Sequence, residues 1–181
     1  MADTPLTDPA GFAGEHLEYE AQMFLAARNK LFLSAPPQPL PRGPDEAFNR
    51  NLLIESCVLH LRNLIDFFYP PSSPQPDDVT AADYVPGWNS PPAPPILRDA
   101  RNRANKELAH LTLKRKMGAP PDKAWDFADL SNAITPIIGE FFKRVDASKV
   151  PLRTRVMFGR IGGVVKVTGW TGPVFKTSTP P

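Results

Sequence analysis

The sequence predicts an all-α protein, an up-down bundle of three to four main helices with a Pro-rich long loop and a basic C-terminal tail. Three observations support this. Apolar residues recur at helical spacing in several long segments. One of these, "DEAFNRNLLIESCVLHLRNLIDFFY", is apolar on nearly every side, as a central bundle helix should be. Proline, 23 residues in all, is concentrated between the helices: nine fall between Pro70 and Pro95 and five between Pro36 and Pro44. The segments around those loops are therefore free to be helical. At 181 residues the chain fits one domain plus tails and is long enough for a single core.

The first helix should start at Asp8-Pro9, with Asp as N-cap and Pro in the first turn, and run to about Leu33. Phe12, Tyr19, Met23 and Ala26 form one apolar row, and Leu17, Phe24 and Leu31 a second. "SAPPQPLPRGP" ends it as an extended linker. The second helix is expected from about Asp45 to Tyr69. A long loop follows, in which Tyr84, Val85 and Trp88 offer anchorage to the bundle. The third helix should begin near Pro95 and end before Gly118, with Leu97, Ala100, Ala104, Leu108 and Leu111 as its apolar row. Pro120-Pro121 is read as opening a fourth helix, kinked at Pro136 and buried through Trp125, Leu130, Ile134, Ile137, Ile138, Phe141 and Phe142. The bundle then occupies residues 1–146, with loops at 34–44 and 70–95. The tail 147–181, where β-branched residues surround Gly162-Gly163, is expected to be irregular or a short β-hairpin.

Composition narrows the functional classes. No apolar run approaches the ~20 residues needed to span a bilayer. The single cysteine, Cys57, makes no disulfide within the chain and fits a reducing compartment. "MADTPLTDPAG" lacks a basic region followed by an apolar run, so a cytoplasmic protein without a membrane partner is expected. The net charge of +2 is unevenly spread. Residues 98–116 carry seven cations against Asp99 and Glu107, and six cations with no acid follow Asp146. Such segregation suits an anionic partner or an acidic surface elsewhere, and equally a solvated face.

Candidate chemistry centres on "LRDARNRANKELAHLT". On a straight α-helix, Arg103, Lys106, Glu107 and His110 stand at i, i+3, i+4 and i+7, one stripe beside the apolar row. An imidazole with an ordinary pKa near ~6.5 beside a guanidinium suits phosphodiester chemistry: one exchanges the 2′-hydroxyl proton, the other stabilises the phosphorane. The competing reading is an exposed face in which Glu107 pairs with Arg103. Asn105 flanks the same helix. A second polar row, Glu55, Arg62 and Asp66 at i, i+7 and i+11, is either part of a site or a buried ion-pair network, and in the latter case needs partners such as Arg101 or Asn105. His60 should be buried, neutral and hydrogen-bonded among Leu53, Cys57, Leu64 and Phe67. Neither a metal nor a cofactor is expected: Cys57 and His60 lack a second Cys/His pair, and "GRIGGVVKVTG" has neither a P-loop ending nor dinucleotide spacing.

A helical bundle with an arginine, four to six residues and then a histidine resembles the HEPN superfamily, and "RANKELAH" gives Arg103 and His110 six residues apart. The polar residue that often follows the family's arginine is replaced here by Ala104. The resemblance spans roughly residues 10–145. It implies RNA or nucleotide-phosphate binding, a metal-independent endoribonuclease working as a homodimer with Arg103 and His110 at the interface, and defence or toxin roles with an antitoxin as partner. Asn105, Lys106 and Glu107 would support that pair. The alternative is a non-catalytic module whose apolar helices dimerise or dock a protein.

Overall fold

The Asp8 carboxylate accepts from the Gly11 backbone N–H at 2.9 Å and caps the first helix, with Pro9 in its first turn. A Cβ on Gly11 would fall 2.1 Å from Asp8 Oδ2, so the cap and the glycine require each other. The structure, a computed structural model, describes residues 6–33, 43–109 and 125–162. Among the described residues there are six helices and no strand.

Helix α1 covers residues 9–33 and contains a π-helical turn, Ala13–Leu17, between Pro9–Phe12 and Glu18–Leu33. Helix α2, Pro44–Phe68, lies antiparallel to it: Glu20 faces His60 and Asn63, and the Phe24 carbonyl faces Cys57. Its buried residues begin at Cys57, and residues 44–56 include none. The expectation of a helix buried on nearly every side therefore holds for its second half only. Phe48, Leu52 and Leu59 are exposed.

The loop after α2 is pinned by a short helix α3, Ala81–Tyr84, which Thr80 and Asp83 close as a reciprocal capping box. Tyr84 and Val85 are buried, the Tyr84 hydroxyl donates to the Pro9 carbonyl (3.0 Å), and Trp88 Nε1 donates to the Phe68 carbonyl (3.3 Å). The anchorage read from these aromatics is the one observed. Gly87 turns the chain at φ 69°, a conformation suited to glycine, and its carbonyl accepts from Arg144.

Helix α4 spans residues 95–109, an α segment Pro95–Arg103 followed by a π-helical segment Ala104–Ala109. Leu97, Ala100 and Ala104 are buried, with Leu108 packed against the core. Leu111 lies outside the described residues. Helix α5, Phe127–Arg144, starts later than Pro120-Pro121 suggested. Asp126 is the N-cap and accepts from the Ala128 and Asp129 backbone, which leaves Trp125 before the helix. The helix runs unbroken through Pro136.

The largest departure from expectation follows Asp146. Residues 147–149 form a 3-10 turn, and helix α6, Leu152–Gly162, occupies the place where a tail or hairpin was expected. Thr154, Phe158 and Ile161, at i, i+4 and i+7, are buried, so this segment belongs to the bundle. The remainder of the expected tail, residues 163–181, lies outside the described residues. Helix α6 runs parallel to α1 and seals its π turn: Arg153 donates to the Gly14 carbonyl at 2.9 Å, and Thr154 Oγ1 to the Ala13 carbonyl at 3.5 Å and to Glu18 at 2.9 Å. At the other end the buried Arg28 donates to the Ile161 carbonyl and to Ser131 Oγ, tying α1, α5 and α6 together. A cation at the carbonyl end of α6 meets the negative pole of its dipole. Burial still lowers the guanidinium's proton affinity from its ordinary value.

Two substitutions test whether α6 is core. Phe158→Ala should destabilise the protein by about 3–5 kcal/mol in urea unfolding. Leu152→Ala on the exposed face should stay within about 0.5 kcal/mol of the parent. Equal, small effects would show that α6 is peripheral.

Candidate functional site

Arg103 closes the α segment of α4, and Glu107 lies within the π segment that follows. Their side chains form a two-point ion pair, Nε to Oε1 at 3.2 Å and a terminal guanidinium nitrogen to Oε2 at 3.3 Å. Both are about a quarter exposed. The guanidinium carbon lies 3.9 Å from the ring centroid of Trp125, close enough for cation–π attraction. Trp125 in turn stacks on Phe127, with planes 9° apart. Arg103 is thus fixed on one side by a carboxylate and on the other by an indole that the sequence placed on the buried face of α5.

The π segment changes the geometry expected of the stripe. A π turn takes about one more residue than an α turn. The stripe was laid out on a straight α-helix, whereas residues 104–109 are π-helical. Lys106 is exposed and Asn105 half-buried. His110 lies outside the described residues.

The second polar row separates. Asp66 accepts from Arg101 at 3.4 Å and pairs with Arg62 at 3.6 Å, and Arg101 also donates to the Tyr69 carbonyl at 3.2 Å. Arg101 is the partner that burial of this charge required. Glu55 instead faces solvent, about two turns from Arg62 and three from Asp66. Burial raises the Asp66 carboxyl above its ordinary 3.8, against the opposing pull of Arg62 and Arg101. Arg62 Nε is buried without a hydrogen-bond partner among the described residues.

His60 is buried as expected and its Nδ1 lies 2.7 Å from Glu20 Oε2, which also accepts from Asn63 at 3.2 Å. The Tyr19 ring meets the imidazole edge-on. Glu20 was missed from the sequence because nothing in a single helix reveals which carboxylate the neighbouring helix presents. Arg28 was missed for the same reason. Burial pushes the Cys57 thiol far up, so it stays protonated and is a poor nucleophile. Among the described residues no group of three His, Cys, Asp or Glu side chains could hold a metal ion. No described helix is long and apolar enough to cross a membrane.

The raised Asp66 carboxyl has a pH consequence. Its folded state holds a proton that the unfolded state has released, so stability falls as pH rises from 3.8 through the folded value. Asp66→Asn should therefore gain on the parent as pH increases from ~3.5 to ~6.5 in urea unfolding. A parent that gains on the variant over that range would show that the two arginines outweigh burial.

No family model, curated protein or solved structure matches this chain.

Proposed function

We propose that this chain binds RNA through phosphate contacts along α4, and that Arg103 with His110 carries metal-independent cleavage as in the HEPN proteins it resembles. The observation that carries this reading is Arg103 stacked on Trp125 and braced by Glu107. A guanidinium whose plane is set in advance loses less freedom on meeting a phosphate. Trp125, itself stacked on Phe127, holds that guanidinium in place. Exposed Arg98 and Lys106 on the same helix add cationic surface for neighbouring phosphates. In this reading Asn105 and Lys106 contact the RNA backbone, Glu107 holds Arg103, and His110 moves the 2′-hydroxyl proton. The half-buried Asp66–Arg62–Arg101 network fixes the register of α2 and α4.

A second reading, a self-associating or protein-docking module without catalysis, is favoured by a different observation. Phe48, Leu52 and Leu59 project from one side of α2 at i, i+4 and i+11, with exposed Glu55 between them. Three large apolar side chains on one helix face suit a second helix.

Fluorescence anisotropy with a labelled single-stranded RNA separates the two. Four phosphate contacts give a slope of log affinity against log salt of about −3, and Lys106→Ala should reduce its magnitude by somewhat under one unit. His110→Ala should retain binding and abolish cleavage in EDTA, whereas Arg103→Ala should weaken both. No RNA binding at low salt, together with salt-insensitive self-association in sedimentation, would replace this reading with the second.

A further inference from the structure

Helix α6 has an outer face that neither reading uses. With Thr154, Phe158 and Ile161 turned inward, the 100° advance per residue centres the outward face on Val156, with Leu152 beside it. Leu152 is 76% and Val156 49% exposed. These two and Met157 line an open trough of about 610 Å³ whose rim includes Arg153, Arg160 and Glu18. Arg155 flanks the opposite side of the helix, its guanidinium over the Phe142 ring and its buried Nη1 without a hydrogen-bond partner among the described residues. Glu18 is committed to Arg153 at 2.8 Å and to Thr154. The helix itself contributes three arginines and no acid.

The geometry points to this face as a docking surface for an acidic amphipathic segment of a partner protein, its aliphatic side chains on Leu152, Val156 and Met157 and its carboxylates meeting Arg160 on the rim. Charge complementarity selects that occupant. The stretches of this chain outside the described residues do not supply it: residues 1–5 carry Asp3 alone, residues 34–42 Arg42 with no acid, residues 110–124 four cations against Asp122, and residues 163–181 Lys166 and Lys176 with no acid. Chemistry also separates it from two other anionic surfaces. The exposed residues of α6 include no aromatic ring on which a base would stack, and two aliphatic side chains are too narrow a face for insertion into a bilayer. A helix laid in a groove with leucine-type anchors three and four residues apart fits both the apolar floor and the cationic rim.

The test uses the full chain and a fluorescein-labelled helical peptide of glutamate and leucine, with leucines spaced three and four apart, against a scrambled peptide of the same composition. The amphipathic peptide should bind at least about tenfold more tightly than the scrambled one, and Val156→Asp or Arg160→Glu should each weaken it about tenfold. Both positions are exposed, so circular dichroism and the melting temperature should remain those of the parent. Arg160→Glu should regain affinity for a peptide in which lysine replaces the facing glutamates. Equal binding of the scrambled peptide, or indifference to both substitutions, would overturn the proposal. Displacement by oligouridylate would make the face a nucleic-acid surface, and displacement by phosphatidylserine vesicles would make it a membrane contact.

Discussion

Everything in this bundle depends on the ring of Phe141. It meets Phe67, Phe68, Tyr84, Trp88 and Phe142 at centroid separations from 5.2 to 6.0 Å, all in edge-on geometry. Edge-on pairs place the positive rim of one ring against the negative face of another, and each contributes about 0.5–1.5 kcal/mol beyond its buried area. The partners come from α2, from the short helix α3, from the loop after it and from α5 itself. Phe68 and Phe142 extend the cluster to Phe158 on α6. One side chain therefore joins the end of α2, the long loop and the C-terminal half of the fold. Because Phe68 is held there, its carbonyl is in place for Trp88, and the adjacent Tyr69 carbonyl for Arg101. The Asp66 network inherits its geometry from that aromatic anchor.

The π turn of α1 shows a second constraint, that freed or displaced backbone carbonyls find donors. In α1 the turn presents Ala13 and Gly14 to Thr154 and Arg153, which makes the irregular turn the seat for α6. In α4 the π segment follows the anchoring residues Leu97 and Ala100, so the register of Arg103 is set by packing upstream of that segment and by Trp125.

The helices were legible where apolar spacing and a capping residue agreed. Asp8-Pro9 and Pro95 opened helices as read, and Leu97, Ala100 and Ala104 turned inward. The start of α5 was misplaced because two prolines are a louder signal than one aspartate, yet Asp126 makes the hydrogen bonds. Helix α6 was hidden by glycines and β-branched residues clustered after Phe158, which drew the reading towards a hairpin. The inward turn of Thr154 breaks no periodicity, but a threonine is not counted as core until its partner, Glu18, is known. In the candidate site, Arg101 beside Asp66 could be anticipated because a buried carboxylate needs a cation. Trp125 beneath Arg103 could not, since its placement depends on where α5 begins. The π segment has no compositional mark in "ANKELA", so the stripe was drawn on an ideal helix.

The stacking of Arg103 on Trp125 gives this molecule an optical handle. Indole emission responds to charge held above the ring, because excitation redistributes electrons between its two fused rings. The Arg103 guanidinium lies 3.9 Å from the Trp125 ring centroid. Trp88 sits under Arg144 at the longer separation of 5.2 Å and is tied to the Phe68 carbonyl. Any event that draws Arg103 away from its indole, whether an arriving anion or a loss of Glu107, changes the intrinsic emission of Trp125 without a label.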